Sequence, residues 1–459
     1  MPSRLSRRQL MLGSAASTLL AGCAGRAPRH DLPPIVFVHG NGDSAALWTT
    51  TLWRFESNGW PRDRLVAIDV PYPLARDVDA AAQPGRSSSA ENMQLLAAEV
   101  ERVRAATGAA QVALVGNSRG GITIRRYLLD GNAAARVSRV VLCGTPNHGV
   151  WNLPNYLPGS EFNGTGPVLT RLNTQNGAGG AEVTAGPRWL TLRSDSNDKY
   201  AQPDGAWIGA RGTPTNVGFD GPALRGADNL VLPGADHREV AFGPAAFVET
   251  YRFISGQAPA GSSVRPETRV VLDGIVSGYG VDNLHGSAPS NLPIAGATLE
   301  VFATDPASGE RLGGPRHRKT VGADGRWGPF ETDGRSHFEF VVGAAGYAIT
   351  HVYRSPFPRS SAVVHLRVER LADADRGATA LVTLSRPRGY FGVPRDRILF
   401  DGQSPPAGIR AGTAGVSSLR IDVKDGGTRA VVAEFNGERL VGRAWPVAAG
   451  HLSWLELTS

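Results

Sequence analysis

Cysteine is almost absent from this sequence of 459 residues, which contains only Cys23 and Cys143. Two cysteines exclude a fold held together by several disulfides, and no spacing typical of a metal site occurs. Cys143 ends an apolar run, a position typical of a small buried side chain. We therefore predict a fold that holds no metal and depends on its hydrophobic core.

Lysine is nearly as rare, since it occurs only at Lys199, Lys319 and Lys424. The formal net charge of +7 therefore comes from arginine. The arginines are scattered among aspartate and glutamate, whereas a nucleic-acid-binding surface needs a basic cluster. We predict no nucleic-acid partner.

Long apolar runs are missing near the N-terminus, where residues 11–20 are too few to span a bilayer. Residues 6–11 (Ser-Arg-Arg-Gln-Leu-Met) resemble a twin-arginine export signal. Residues 20–23 (Leu-Ala-Gly-Cys) resemble the bacterial lipobox, in which the cysteine is lipidated. We predict an export signal with lipobox over residues 1–23. A lipid on Cys23 would then anchor the chain to a membrane. The expected location is periplasmic, outer-membrane or extracellular, and a plain cleaved signal is the alternative.

Apolar strands and amphipathic helices alternate over residues 31–256, which we call the N-terminal region. Residues 35–38, 112–115 and 137–142 are uninterrupted apolar runs, typical of strands buried in a parallel sheet. Residues 88–91 (Ser-Ser-Ala-Glu) have the form of a capping box that opens a long helix. This alternation predicts an α/β fold with a doubly wound, mostly parallel sheet.

Helical periodicity disappears after a predicted linker at residues 257–268. Short strands separated by turns predict an all-β, sandwich-like part with two units, residues 269–370 (the first β unit) and 376–459 (the second β unit). One predicted strand covers residues 362–366. The first unit resembles transthyretin-like modules in residues 296–301 and 323–328. The two units either contact lipid or polymer beside the active site or serve as structural modules.

Ser118 lies at the centre of the most informative stretch, residues 112–121 (Val-Ala-Leu-Val-Gly-Asn-Ser-Arg-Gly-Gly). An apolar strand, a Gly-x-Ser-x-Gly turn and a helical pattern follow one another, which is the context of a nucleophile elbow. A Cβ at Gly116 or Gly120 would collide with the neighbouring strand and helix. The alternative is a glycine-rich turn that contains serine by chance, in a chain with 57 glycines.

A serine nucleophile needs a base and a carboxylate that orients the base. His237 follows the last predicted strand of the sheet and is the predicted base. Asp198 is the predicted acid and Asp195 is the alternative, because both follow the preceding strand. The three side chains then share one edge of the sheet in the chain order serine, acid, histidine.

Two backbone N–H groups are predicted to form the oxyanion hole, those of Asn41 and Arg119. Asn41 follows the first strand, and Arg119 follows the nucleophile. His39 lies beside the hole, so we predict that it braces the loop. The long segment 150–186 forms either a wall or lid over Ser118 or a surface insertion.

Residues 32–256 resemble the α/β-hydrolase superfamily, specifically bacterial and archaeal lipases and esterases. The resemblance lies in residues 39–42 (His-Gly-Asn-Gly), 116–120, 144–149 (Gly-Thr-Pro-Asn-His-Gly) and 234–237 (Gly-Ala-Asp-His). The β-rich part is similar to the appended domain of lipases that act on long-chain substrates. Some of these relatives take their acid from the strand that ends here at residues 143–145, where no carboxylate occurs. The elbow has Asn-Ser-Arg where lipases usually have His-Ser-Met or His-Ser-Gln.

The resemblance implies an exported carboxylic ester hydrolase, a lipase or esterase, whose substrate is an ester or lipid. The reaction passes through an acyl-enzyme on Ser118 and needs no metal or organic cofactor. One alternative is a polyester depolymerase of the polyhydroxyalkanoate type, whose β units bind the polymer. Another is a catalytically inert surface lipoprotein whose β units bind a partner.

Overall fold

Six strands of the N-terminal region pair in parallel in the computed structural model, as their apolar runs predict. The structure describes residues 32–174, 180–279, 288–425 and 428–459. The predicted export signal and Cys23 lie outside the described residues. The part from Pro33 to Ser459 forms one compact unit. None of the helices in the described ranges is long and apolar enough to cross a membrane.

The elements of the N-terminal region alternate as predicted. The strands are β1 (Ile35–Val38), β2 (Leu65–Ile68), β3 (Val112–Asn117), β4 (Val137–Cys143), β5 (Arg188–Ser194) and β6 (Asp228–Leu232). The helices are α1 (Thr49–Ser57), α2 (Ser89–Thr107), α3 (Arg119–Asp130), α4 (Pro167–Asn173), α5 (Glu239–Phe242) and α6 (Pro244–Ser255). The predicted capping box is confirmed, because Ser88 and Glu91 cap α2 reciprocally.

Helices cover both faces of the sheet, and β1 shows why. Val36 and Val38 pack in the core that includes α2 and α3. Phe37 points to the opposite face, where its ring centroid lies 5.9 Å from that of Phe55 on α1. Phe55 in turn lies 5.2 Å from Phe247 on α6. The alternation of strand side chains thus gives three layers, and the predicted doubly wound sheet is confirmed.

The strand order β2-β1-β3-β4-β5-β6 reverses direction between β1 and β3. In sheets of this kind, a crevice opens beyond the carboxyl ends of the strands at such a reversal. The loop after β1 and the turn after β3 both begin there, so the topology places the predicted oxyanion and nucleophile segments at one crevice.

The C-terminal half is all β among its described residues apart from short 3-10 turns. In the first β unit the strands are β7 (Val270–Leu272), β8 (Val276–Gly278), β9 (Thr298–Thr304), β10 (His317–Thr320), β11 (Phe330–Thr332), β12 (His337–Gly343), β13 (Ile349–Arg354) and β14 (Leu366–Val368). In the second they are β15 (Leu381–Ser385), β16 (Ile398–Phe400), β17 (Ser418–Asp422), β18 (Ala430–Phe435), β19 (Glu438–Arg443) and β20 (His451–Glu456). The strand predicted at residues 362–366 is wrong in position, because pairing with β8 begins only at Leu366.

One seven-stranded sheet, β10-β9-β12-β13-β20-β15-β17, takes strands from both predicted β units. Strand β20 lies in its interior and pairs in parallel with β13 and β15. The pairs β7–β11 and β8–β14 pack on one half of this sheet, and the sheet β16-β18-β19 packs on the other. Two sandwich cores therefore share one sheet, and the division of the chain into separate domains stays a prediction.

The first β unit packs directly on the N-terminal region. Trp53 of α1 belongs to the hydrophobic core of the first β unit, and its Nε1 donates to the Ser360 carbonyl at 2.9 Å. His365 Nε2 lies 2.8 Å from the Asp69 carboxylate, just after β2. Although burial acts to raise the pKa of Asp69, His365 lowers it to about 2. The Nδ1 of His365 accepts from the Ile275 N–H at 3.2 Å, so the ring links the chain after β2 to the first β unit.

Candidate active site

Ser118 occupies a strained turn between β3 and α3. Its φ of 53° and ψ of −120° are rare for a residue with a side chain. The surrounding glycines make the turn possible, because a Cβ at Gly120 would lie 2.3 Å from the Val38 carbonyl oxygen. A Cβ at Gly116 would lie 2.8 Å from backbone atoms of the helix. The sharp turn leaves Ser118 partly exposed at the carboxyl end of β3.

His237 and Asp198 form a buried pair. His237 Nδ1 lies 2.8 Å from Asp198 Oδ2, although 39 residues separate them in the chain. The other carboxylate oxygen of Asp198 accepts from the Tyr200 N–H at 2.8 Å. Because a neutral imidazole that donates from Nδ1 carries its lone pair on Nε2, the pair is arranged to accept a proton at Nε2.

Asp195, the alternative acid, faces the backbone instead of the imidazole. Its Oδ2 accepts from the Gly234 N–H at 2.9 Å, and its Oδ1 accepts from the Asn197 N–H at 3.1 Å. Asp195 therefore ties the loop after β5 to the loop after β6, and Asp198 is the carboxylate that meets His237.

Ser118, His237 and Asn41 line one cavity of about 830 Å³, part of which is open to solvent. The hydrogen bonds of the described residues do not include one between Ser118 and His237. In the absence of substrate such contacts are often long, and they shorten when the reacting group is bound. The cavity brings the predicted nucleophile, base and first oxyanion donor to the same space.

The two predicted oxyanion donors are fixed by side chains. Asn41 is held because its Oδ1 accepts from the Ala75 N–H at 2.7 Å. Arg119 begins α3, where the first N–H groups have no acceptor within the helix. Its guanidinium is buried and donates from Nε to Glu161 at 2.8 Å and from Nη1 to the Ser87 hydroxyl at 3.0 Å. Arg119, which stands where lipases usually have Met or Gln, thus anchors the turn with its side chain.

His39 braces the loop after β1. Its Nδ1 lies 2.8 Å from the Gly40 carbonyl oxygen, and its Nε2 accepts from the Val70 N–H at 3.0 Å. This pattern needs a neutral ring, and burial lowers the pKa of His39. Both nitrogens are engaged, so the ring joins the loop after β1 to the residues that follow β2.

The segment after β4 forms a wall of the cavity, and we call residues 150–166 the wall loop. The cavity is lined by three aromatic and three aliphatic residues, Trp151, Tyr156, Phe162, Val150, Leu157 and Ile208. Polar residues also line it, among them Asn41, Asp43, Arg76, Asp77 and Arg86. Residues 150–162 of the segment line the cavity with Ser118, in agreement with a wall.

Three residues of the site have no counterpart in the predictions from sequence. The ring centroid of Tyr200 lies 4.4 Å from that of His237. Glu161 pairs with Arg119, and Tyr390 reaches the cavity from the second β unit. The position of Tyr200, two residues after the acid, is a usable signal, but nothing in the sequence around Glu161 or Tyr390 points to the site.

Two family models match this chain. The family described as alpha/beta hydrolase fold matches residues 33–182. The family described as lipase C-terminal domain matches residues 268–371. The first match contains the nucleophile elbow and the second covers the first β unit, whereas the second β unit lies entirely outside both.

Several solved structures are similar to this chain. The lipase BlEst2 of Bacillus licheniformis in its propeptide form is 15% identical, with a TM-score of 0.37, over 90% of this chain and 92% of that chain. Its mature form is 23% identical, with a TM-score of 0.35, over 49% of this chain and 92% of that chain. Lipase B of Aspergillus fumigatus is 18% identical, with a TM-score of 0.34, over 52% of this chain and 56% of that chain.

Proposed function

The chain belongs to the α/β-hydrolases of the lipase and esterase type with a C-terminal domain, and on this premise we propose that it is a serine carboxylic ester hydrolase. The observation that carries the proposal is the bond between His237 and Asp198 at 2.8 Å, on the wall of the cavity that contains Ser118. The strained elbow supports the same assignment, because it presents the serine hydroxyl at the carboxyl end of β3.

In the first half of the reaction, Ser118 Oγ attacks the ester carbonyl carbon, and His237 Nε2 accepts the hydroxyl proton. Asp198 holds the imidazole in the tautomer with Nδ1 protonated and stabilises the imidazolium that forms. The N–H groups of Asn41 and Arg119 stabilise the oxyanion. When the intermediate collapses, His237 gives the proton to the alcohol, which leaves Ser118 acylated.

In the second half, a water molecule replaces the alcohol. His237 Nε2 accepts a proton from the water, whose oxygen attacks the acyl carbon. The carbonyl oxygen again becomes an oxyanion at the same two N–H groups. The proton then returns to Ser118 Oγ as the carboxylic acid leaves.

The lining of the cavity supports an ester with an apolar acyl chain. The aromatic wall loop offers apolar surface for the chain, since burying each CH₂ group contributes about 0.8 kcal/mol. The polar lining residues, Arg76 and Arg86 among them, suit the alcohol part. We therefore expect kcat/KM for p-nitrophenyl esters to rise as the acyl chain is lengthened from acetate.

The proposal is tested by Ser118→Ala with p-nitrophenyl butyrate and a fluorophosphonate probe. Ser118→Ala is expected to abolish turnover and labelling, because no other group takes the acyl or phosphonyl group. Ser160→Ala removes a hydroxyl that lines the same cavity and is the matched control, expected to keep both. Turnover that persists in Ser118→Ala contradicts the mechanism, and a wild-type chain that is neither active nor labelled favours the inert lipoprotein.

Export and lipidation at Cys23 are a separate part of the proposal, supported only by the motifs in residues 6–23. In a bacterial host that recognises both signals, we expect the wild-type chain to incorporate radiolabelled palmitate and Cys23→Ser to lose the label. A wild-type chain that matures without label contradicts the anchor and favours the plain cleaved signal.

A further inference from the structure

The residue before the proposed base joins the second β unit to the catalytic loop. Asp236 is 0% exposed, and its Oδ1 accepts from the N–H groups of Arg238 and Glu239 at 2.8 and 2.9 Å. Its Oδ2 accepts from Arg386 Nη1 at 2.9 Å and from the Tyr390 N–H at 2.8 Å. One carboxylate therefore binds the start of α5 on one side and the second β unit on the other.

Arg386 is the centre of this contact. Its side chain is 4% exposed, and besides Asp236 it binds Glu239 Oε1 at 2.6 Å and the Tyr390 carbonyl oxygen at 2.6 Å. Arg395 binds the other oxygen of Glu239 at 2.8 Å. Hydrogen bonds between charged groups in a buried site are strong and directional, so this network fixes the loop that carries His237.

Tyr390 extends the contact from the base to the acid. Tyr390 lines the cavity beside Tyr200, the residue whose N–H binds Asp198 and whose ring packs on His237. The Nζ of Lys199 lies 4.1 Å from the centre of the Tyr390 ring. Tyr390 therefore lies next to the residues that hold both partners of the catalytic pair.

A second loop of the same unit holds the acid loop independently. The Ala414 N–H donates to Asn197 Oδ1 at 2.9 Å, and Lys199 Nζ donates to the Gly415 carbonyl oxygen at 2.9 Å. Gly415 lies so close to the Trp207 ring that a Cβ there would be 2.2 Å from it. The loops after β5 and β6 are thus both held by residues of 376–459.

We propose that the second β unit positions the catalytic pair, with Arg386 and Tyr390 as positioning residues that keep His237 aligned with Asp198. The inference rests on the proposed function. It goes beyond that function because it makes residues 376–459 necessary for turnover of small soluble esters, which need no polymer- or lipid-binding surface. Displacing a catalytic group by about 1 Å reduces the rate about 10²-fold.

The test compares Arg386→Met with Arg354→Met in the full chain. Arg354 is similarly buried, 3% exposed, and forms an ion pair of 2.6 Å with Glu456, which lies in the second β unit. Both variants lose a buried guanidinium, so they should have similar melting temperatures. Only Arg386→Met is expected to lower kcat for p-nitrophenyl butyrate, about 10²-fold per active site, with KM within about threefold of wild type.

A second readout does not depend on activity. The proton on His237 Nδ1, hydrogen-bonded to a carboxylate, gives a low-field NMR resonance that is assigned by its loss in Asp198→Asn. We expect the resonance to persist in Arg354→Met and to broaden or vanish in Arg386→Met. If Arg386→Met does not fold, the test uses Arg386→Lys, which keeps the charge but loses the planar guanidinium. Its kcat is expected to be about tenfold below that of the wild type.

Wild-type resonance and wild-type kcat in the folded Arg386 variant would overturn the positioning role, as would equal losses in Arg354→Met. Failure of the proposed function is recognised separately, because in that case the wild-type chain shows no turnover that depends on Ser118. The resonance still reports on the alignment of His237 in that case.

Discussion

Asp195 and Asp198 lie three residues apart, and their carboxylates serve different partners. Asp198 meets the His237 imidazole, and Asp195 meets the Gly234 N–H. We predict that Asp198→Asn lowers kcat for p-nitrophenyl butyrate by about 10⁴, because the amide favours the wrong imidazole tautomer. Asp195→Asn keeps an oxygen for the Gly234 N–H and is the matched control, with kcat near that of wild type. A severe loss in Asp195→Asn together with a mild one in Asp198→Asn would contradict this assignment.

The buried ring of His39 makes stability depend on pH. Burial lowers the pKa of His39 below its ordinary value of 6.5, so the unfolded chain binds a proton first as the pH falls. The free energy of unfolding therefore decreases below about pH 6.5, by at most about 1.4 kcal/mol per pH unit from this one residue. His337, His351 and His451 act in the same direction, since burial also lowers their pKa values.

The contribution of His39 is isolated with His39→Gln, which does not titrate. We predict that the melting temperature of the variant falls less between pH 7.5 and 5.5 than that of the wild-type chain. Parallel curves for the two proteins would show that His39 is protonated equally in the folded and unfolded states.

The sequence predicts some residues of the site better than others. Ser118 follows from a local pattern, because strand, turn and helix all lie within ten residues. The choice between Asp198 and Asp195 does not, since it depends on the course of the loop after β5. Arg386 and Tyr390 reach the site only through the folding of a distant sheet, which no local pattern encodes.

At the scale of elements, the buried Arg119–Glu161 pair joins the start of α3 to the wall loop. The guanidinium also donates to the Pro73 carbonyl at 3.1 Å, so a third segment is tied in. Burial raises the pKa of Glu161, and the Arg119 charge opposes that effect. The pair therefore couples the oxyanion side of the cavity to its apolar wall.

We predict that Arg119→Met and Glu161→Leu each lower the free energy of unfolding by about 3–5 kcal/mol, because each leaves one buried charge without a partner. The double variant should be more stable than the sum of the two losses predicts. Unfolding in guanidinium chloride measures all three. Strictly additive losses would contradict a direct coupling between the two side chains.

Elements that are continuous and apolar are predicted well, and pairing between distant strands is not. β1, β3 and β4 lie where their apolar runs predict them. β14 lies further along the chain than predicted, because its position is set by pairing with β8, some ninety residues earlier. The insertion of β20 between β13 and β15 likewise depends on long-range register, which an alternating pattern alone does not specify.

At the scale of the whole molecule, the two β units are packed against the N-terminal region and are not a separate appendage. Trp53 of the N-terminal region is 1% exposed inside the core of the first β unit. Asp69 pairs with His365 of the first β unit, and Asp236 pairs with Arg386 of the second. Both β units therefore bind loops at the carboxyl edge of the parallel sheet. The sequence indicates the β units but gives no sign of this attachment.

We predict that the chain unfolds in a single calorimetric transition, with equal calorimetric and van't Hoff enthalpies. Trp53→Ala should move that whole transition to lower temperature, because it removes about 3–5 kcal/mol from a core to which both parts contribute. Two transitions, of which Trp53→Ala shifts only one, would show that the parts unfold independently.

The interior place of β20 has a consequence for synthesis. Its two neighbours, β13 and β15, are both made earlier and cannot join until residues 451–456 have left the ribosome. Loop 386–396 follows β15 and loop 413–415 precedes β17, and both strands belong to the sheet that β20 completes. A nascent chain can thus complete its α/β layers and display Ser118 before the loop that carries His237 is held in place, so the proposed hydrolysis should begin only after translation of β20.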